Sequence, residues 1–598
     1  MGSPKSQGLD EFIQALFCKL FADLQQRWPK QSRSLCRDLE TFQSRFASEG
    51  LSFATKTLPR LGKLFDAALD SGKLEASPAF SKAKGSRTIP AFLQGMYSLL
   101  FDRDGYLVTN NAAAVSDLRQ LFYLVYKLKV PYSPEDEQRV IDAFLRNEEE
   151  LLHVDLSSVD LSVEKRLMEE ILEGFTPKDI IPRHGPGAVA TGEKLEQKWR
   201  FQRLFSQIHQ SYPYYDYFIV GGSHELLDRL EWYKSLKRED VGVAKVVLVP
   251  KDSRGPRLIS CEPLEYQWIQ QGLNHKLVRH LESHRLTRGQ INFQDQSVNR
   301  DLALESSKHH FYCTLDLKDA SDRVSLDLVR ELIPEPLIRY FEAVRSHATL
   351  LPDGRIVTLR KYAPMGSAVC FSVEALCFWV ICVAAVMRKL PWGLQEVARH
   401  VYVYGDDIIV PTVAYDDVVS ALHSVGLVVN IAKCCSNGDF RESCGMDAFD
   451  GVDVTPVKIS ACWSANSSDG SCLSSYAAYA NEFARRGYDG VATSLRIAIR
   501  KVYRFLPCST DSDSFPCEVV ATRLEAHARN CAMGFRFRSN PDFQRLEYRV
   551  KVLVPKRTKT TLEGWPRLLR QQVGLAGERP DEVVHPRSTT LRWRWSRI

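Results

Sequence analysis

The sequence predicts an α+β fold, and three observations carry that reading. Residues 10–180 read mostly as helix, with apolar side chains spaced by three and four at Leu118 to Val130 and Glu164 to Phe175. Residues 301–460 instead hold short β-branched and aromatic runs, two of which bracket Gly405-Asp406-Asp407 as a β-hairpin. Ala368 to Met387 is an almost continuous apolar run, a helix for the centre of a large protein. A chain of 598 residues, 44% hydrophobic and 25% charged, can bury a large core without covalent staples. This excludes a collagen, a disordered tail protein and a small disulfide scaffold, and the length suits a multi-lobed enzyme.

In chain order, polar breaks near Ser71 to Ser86 and Tyr132 to Glu137 divide the N-terminal helices. From Pro182 the texture changes, and His184-Gly185-Pro186-Gly187 marks a loop. Ala244 to Pro250 is a candidate buried strand with a basic loop after it. His310 to Leu317 reads as a strand, Val401 to Tyr404 and Ile408 to Val410 as the arms of the hairpin, and Asp416 to Val425 as a helix. The Ala368 to Met387 run could be mistaken for a membrane span, but Glu374 inside it would cost about 2.5–3.5 kcal/mol at the bilayer centre. No membrane association is expected, and Met1 to Phe17 holds no long apolar signal region.

The net charge of +6 is too small to name a partner. Its distribution says more: residues 534–598 hold 15 Lys/Arg against 6 Asp/Glu, so this end carries +9. Its last stretch, Arg592-Trp593-Arg594-Trp595, suits phosphate contact and base stacking, with a solvated, partly disordered tail as the alternative. The 15 cysteines are spread along the chain without a C-x-x-C pair, which reads as reduced, cytosolic usage.

The chemistry concentrates in carboxylates and cations. Asp406 and Asp407 repel each other, and a bound divalent cation is what would make such a pair favourable at a hairpin tip. Gly405 leaves room for close backbone approach. Asp316 ends another apolar strand, and three such carboxylates could hold two Mg²⁺ ions. Each has a plainer alternative: a polar turn for Asp406-Asp407, a helix cap or turn for Asp316. Lys251, Arg254 and Arg257, fixed by Gly255 and Pro256, suit a triphosphate or, alternatively, form a solvated basic turn.

Further motifs complete an ordered set. They are Ile259-Ser260-Cys261-Glu262-Pro263 after the basic loop, Asn292-Phe293-Gln294-Asp295-Gln296, Asp316 to Asp322, and Met365-Gly366-Ser367 leading the Glu374 helix. After Tyr404 to Asp407 come Phe440-Arg441-Glu442-Ser443-Cys444-Gly445 and Gly451-Val452-Asp453-Val454-Thr455-Pro456. In order and spacing the set resembles the RNA-directed RNA polymerases, most closely the replicase catalytic (beta) subunit of positive-strand RNA bacteriophages of the Qβ type. It covers about 180–460; the flanking stretches match only loosely.

The resemblance implies a right-hand polymerase, an antiparallel palm sheet backed by helices with fingers and thumb around a basic channel. Helical N-terminal and C-terminal regions are expected beside it. The expected limits are 1–180 for an N-terminal helical extension and part of the fingers, and 181–300 for fingers with the basic loop. The palm is expected over 301–460, and the thumb with the basic C-terminal segment over 461–598. The resemblance makes Asp316 and Asp406 the main metal ligands, assisted by Asp407, with Mg²⁺ as the metal and Mn²⁺ as a substitute. Lys251, Arg254 and Arg257 would hold the triphosphate, and Ser321 and Asp322 would sense the ribose 2′-hydroxyl. Gly366 and Ser367 would form the loop under the template–nucleotide pair, although Ser367 stands where the Qβ-type pattern has an amide. Lys433 would be the general acid toward pyrophosphate. Implied partners are single-stranded RNA template and product, ribonucleoside triphosphates, host translation elongation factors and a ribosomal small-subunit protein. The expected location is the cytoplasm of a bacterial host.

Three other functions compete. A reverse transcriptase shares the palm, but is expected to exclude ribose with a bulky side chain after the first aspartate, where this chain has Lys318, Asp319, Ala320, Ser321 and Asp322. A catalytically lapsed palm-fold RNA-binding protein should have lost an aspartate or the basic loop, and all are present. A magnesium-dependent nuclease has no need of the Met365-Gly366-Ser367 and Ser321-Asp322 elements.

Overall fold

A computed structural model describes residues 4–574, 579 and 581–598. The first 175 residues are mostly helical, as their periodicity predicts. Pro4–Arg27, Ser32–Glu49 and Leu58–Ser71 bury Phe17, Leu20, Phe42 and Phe65 in a shared core. The spacing at Leu118 to Val130 is the helix Ala112–Tyr123 and the turns after it, and that at Glu164 to Phe175 is the helix Ser162–Leu172. The polar break at Tyr132 to Glu137 is a helix start. Ser133 accepts the Asp136 N–H at 3.2 Å, Pro134 opens the helix Pro134–Glu150, and Glu135, Asp136 and Glu137 complement its N-terminal dipole.

The central sheet is three-stranded and antiparallel, in the order Tyr312–Asp316, Asp407–Pro411, Tyr402–Tyr404. Its buried Cys313, Leu315, Val403, Ile408 and Val410 belong to one core with the helix Cys370–Lys389. That helix is long and apolar enough to cross a membrane, yet its apolar window is 89% buried within the protein. Trp379 donates from Nε1 to the Val401 carbonyl at 3.0 Å, fixing the helix against the start of the hairpin. Tyr415–Ser424 is the helix expected after it.

A second, four-stranded sheet runs Gly255–Cys261, Val243–Asp252, Ala348–Leu350, Ile356–Thr358. Val243–Asp252 is the strand expected over Ala244 to Pro250, but it is covered on one face only: Ala244 and Val246 are buried while Val243 and Val247 are exposed. The Lys251 to Arg257 stretch is not a free loop. It is the tip of an antiparallel hairpin in which Arg257 pairs with Val249.

The C-terminal region departs from the helical expectation. Gly470–Arg485, Asp489–Tyr503 and Arg523–Ala532 are helices, and residues 435–506 share one core with residues 13–128. Beyond them Phe537–Asn540, Arg545–Lys559 and Glu582–Ser596 form an antiparallel sheet. The Arg592 to Trp595 stretch is therefore a paired strand, not a loose tail. Alternation of Tyr548, Val550 and Val552 with Arg549 and Lys551, and of Leu591, Trp593 and Trp595 with Arg592 and Arg594, supplies the period-two pattern that makes it one.

Candidate active site

The hairpin reading of Tyr404 to Asp407 holds, and the sheet register brings Asp316 to it. Asp316 lies directly opposite Asp407, and Tyr404 opposite Asp407 on the other side. Like charges facing each other across a sheet are destabilising, so this register puts repulsion at the strand ends. Gly405 makes the turn at φ +62°, and a Cβ there would lie 2.1 Å from the Phe371 ring. No residue with a side chain fits that position without strain.

The electrostatics record the crowding. Burial and then the Asp406 charge push the Asp407 carboxyl up to about 7, although the Cys444 backbone N–H stabilises its charged form. Asp406 is exposed at the tip, yet desolvation by the surrounding walls and the Asp316 charge raise it as well. Beneath them Glu374 is pushed up to about 8 by burial and then by Asp406 and Asp322. Asp316 is held from two sides: Lys433 Nζ reaches its Oδ1 at 3.0 Å and Asn430 Nδ2 its Oδ2 at 2.7 Å. Burial would lower the Lys433 ammonium, but Glu442, Asp316 and Asp407 outweigh it and raise its pKa.

Cations line the other side. Arg257 and Lys433 both act on Asp406, and Lys251 is lowered by burial and then by Arg257, Arg254 and Lys433. These four groups therefore share one field. Arg254 is partly spent, since it bonds Asp252 through Nε at 3.1 Å and Nη2 at 2.7 Å. The hairpin tip is seated on the N-terminal region: Ser253 Oγ donates to the carbonyls of Thr55 and Tyr126. Lys63, from Leu58–Ser71, joins the same field, lowered by burial and then by Arg254 and Lys433. A cavity of about 470 Å³ lined by Lys56, Arg60, Lys63, Arg139 and Arg254 opens beside it.

Gly366 sits at φ +127°, where a Cβ would strike the Ser260 carbonyl at 2.2 Å. The Ser260 N–H donates to the Met365 carbonyl at 2.8 Å, so this turn rests on the base of the basic hairpin. Ser367 is buried, and Ser321 is buried in the turn Ala320–Arg323. Asp322 lies inside that turn and does not cap the next helix. Ser325 does, accepting the Leu328 N–H at 3.0 Å. Asp322 Oδ1 instead receives Lys361 Nζ at 2.7 Å.

Comparison with known proteins gives this arrangement a family. A family model described as RNA replicase, beta-chain, matches residues 146–466, more than half of the chain. The chain belongs to the RNA replicase beta-chain family. The RNA-directed RNA polymerase subunit beta of Qbeta virus (strain MX1) is 31% identical over 324 residues, 52% of this chain and 51% of that one. The homologous subunit of Enterobacteria phage SP is 39% identical over 215 residues, 36% of each chain. The RNA-directed RNA polymerase beta chain of Escherichia phage MS2 is 34% identical over 214 residues, 36% of this chain and 37% of that one. The chain thus spans about half or less of the length of these relatives.

Within the replicase-family segment fall all the expected aspartates, the basic hairpin, the Gly366 turn and Lys433. The three aspartates suit a hard divalent cation, having oxygen donors only, and burial and neighbouring carboxylates raise Asp406 and Asp407. They are not a closed cage: among the described residues no three His, Cys, Asp or Glu groups converge as a metal site. Asp316 would have to exchange Lys433 for a metal. Sequence reasoning missed Lys63, Asn430, Lys361 and, behind Lys361 at 3.0 Å, Glu148. None lies in a recognisable motif, and tertiary packing alone brings each to its partner.

Proposed function

We propose that this chain is the catalytic subunit of an RNA-directed RNA polymerase, replicating a viral single-stranded RNA genome in the cytoplasm of a bacterial host. The observation that carries the proposal is Asp316 facing Asp407 across one sheet, with Asp406 at the turn and Arg257 and Lys433 beside it, in a chain of the replicase family. On this reading 301–460 is the palm, 181–300 belongs to the fingers with 1–180 adding to them, and 461–598 is the thumb with its basic sheet.

Asp316, Asp406 and Asp407 would hold Mg²⁺, or Mn²⁺ in its place, which when bound would supply charge stabilisation at the α-phosphate and a more acidic attacking hydroxyl. Arg257 and Lys251 clamp the triphosphate, with Arg254 shared between it and Asp252. Lys433 is kept protonated by its carboxylate neighbours, the state needed to give a proton to departing pyrophosphate. Asp322 accepts the ribose 2′-hydroxyl, with Ser321 beside it. Gly366 and Ser367 support the nascent base pair, and template sequence is copied by pairing. The turn that follows Asp316 presents Ser321 and Asp322, not a bulky ring, which favours ribonucleotides over the reverse transcriptase substrate. Host elongation factors and a ribosomal small-subunit protein are assigned as partners by family likeness.

The test is the purified chain, with and without host extract, on single-stranded RNA with Mg²⁺ and either four ribonucleotides or four deoxyribonucleotides. Template-dependent product from ribonucleotides alone is expected. Product from deoxyribonucleotides at equal efficiency would replace the proposal with a reverse transcriptase.

A further inference from the structure

Lys361 is completely buried, and its ammonium lies between two carboxylates from distant parts of the chain. It reaches Asp322 Oδ1 at 2.7 Å and Glu148 Oε1 at 3.0 Å, and it lies 3.8 Å from the centre of the Phe144 ring. Phe144 and Glu148 both belong to Pro134–Glu150. The lysine's own backbone is fixed: its carbonyl accepts Arg345 Nη2 at 2.9 Å, and Lys361 bridges to Ser325. Glu148 is fixed in turn, accepting the Arg360 N–H on Oε2 at 2.6 Å. On the same turn of that helix, Arg323, the neighbour of Asp322, is bonded to Asn147 at 3.1 Å and to Glu150.

Replacing buried ion clusters with apolar residues is often neutral or stabilising, so two buried charges and a half-buried third are a poor stability device. Their geometry has another effect. Oδ1 of Asp322 is committed to Lys361, while among the described residues no hydrogen bond reaches Oδ2. Asp322 also acts on Glu374, the buried carboxyl that feels Asp406, so Asp322 and a catalytic aspartate share one neighbour.

We infer that Lys361, backed by Glu148, is a positioning residue for sugar selection: it fixes Asp322 Oδ1 and thereby leaves Oδ2 as the acceptor for the ribose 2′-hydroxyl. This rests on the reading of Asp322 as the sugar sensor. The helix Pro134–Glu150, most of which precedes the replicase-family segment, acquires a role in substrate choice. Without the ammonium, half-buried Asp322 and buried Glu148 would be left as two like charges with nothing between them, and Asp322 would turn away or take up a proton.

The test uses the full chain with three variants: Asp322→Ala, Glu148→Gln, and Lys361→Met combined with Glu148→Gln so that neither buried charge is left alone. kcat/KM is measured for a ribonucleotide and its deoxy analogue on one primer–template. A site built around a hydroxyl loses roughly 10⁴–10⁵-fold with the analogue that lacks it, so there is a wide range to lose. The double variant should narrow the ribo/deoxy ratio at least tenfold through the ribonucleotide alone, and Glu148→Gln should narrow it less. A purely structural role would lower both substrates together and leave the ratio unchanged. If Asp322→Ala narrows the ratio and the double variant does not, Lys361 has no positioning role and the sugar sensor stands. If neither narrows it, Asp322 is not the sensor and the inference falls with it. If the double variant fails to fold, an unchanged ratio in Glu148→Gln overturns the inference.

Discussion

Gly405→Ala is the smallest change that should disable the site, and its cost divides into two parts. The backbone stands at φ +62°, where a residue with a Cβ pays about 1–2 kcal/mol. The added methyl would also meet three atoms of the Phe371 ring, at 2.1, 2.7 and 3.1 Å. The ring must move or the tip must lift, and Asp406 is the next residue. A displacement of about 1 Å at a reacting centre can cost about 100-fold in rate, so Gly405→Ala should reduce kcat at least that far with the fold retained. Phe371→Ala in the same chain removes the clash and keeps the φ cost. The double variant should recover most of the loss but stay about 5–30-fold below the Phe371→Ala control, which is 1–2 kcal/mol at 1.4 kcal/mol per tenfold. Single-turnover nucleotide addition, with circular dichroism as the check on folding, measures all four chains. Full activity in Gly405→Ala, or a double variant no better than it, would refute the assignment of this turn as the part that aims Asp406.

Three further outcomes are expected. Arg257→Ala should raise the nucleotide KM by roughly tenfold or more, from the loss of a charge-assisted contact worth about 1.5–3 kcal/mol, while RNA Kd stays near its starting value; a loss confined to RNA would move the hairpin from nucleotide to template. Lys433→Gln should lower kcat by about 10²–10⁴-fold, the usual range for a general acid, and lower the Mg²⁺ concentration needed for half-maximal rate, because Lys433 Nζ no longer competes at Asp316 Oδ1. An unchanged kcat would remove the acid role. Trp593 is 47% exposed, pairs across the strands with Lys551, and lies 5.4 Å from its ammonium, so Trp593→Ala should weaken binding of a long single strand by about 1–3 kcal/mol. Extension of a short primer–template should be unaffected, and equal binding by the two chains would leave the C-terminal strand as scaffold.

The central hairpin was legible because three signals coincide there: two short β-branched runs, a glycine that must turn, and carboxylates that repel. Asp316 was legible for the same reason, as the polar end of an apolar strand, and the register puts it opposite Asp407. The buried helix was legible because one carboxylate, Glu374, told against a bilayer. Lys361 and Glu148 were not legible, since a lysine in Arg360-Lys361-Tyr362 has no local periodicity and its partner lies on a distant helix. Lys63 was hidden in the same way, on an ordinary amphipathic helix. The C-terminal sheet is a different case: Tyr548 to Val552 carry a local period-two pattern, but the two long strands are separated by the helix Gly564–Val573 and meet only in the folded chain.

The most direct test of the central claim is nucleotide addition by the wild-type chain and by Asp316→Asn and Asp406→Asn on one RNA template with Mg²⁺. Removing the Asp406 carboxylate relieves repulsion in the metal-free protein, so Asp406→Asn should fold at least as stably as the wild type, whereas Asp316→Asn also gives up the Lys433 ion pair and should stay folded with a modest loss of stability. The account predicts template-dependent RNA from the wild-type chain and none from either folded variant. Wild-type synthesis by either folded variant would contradict it.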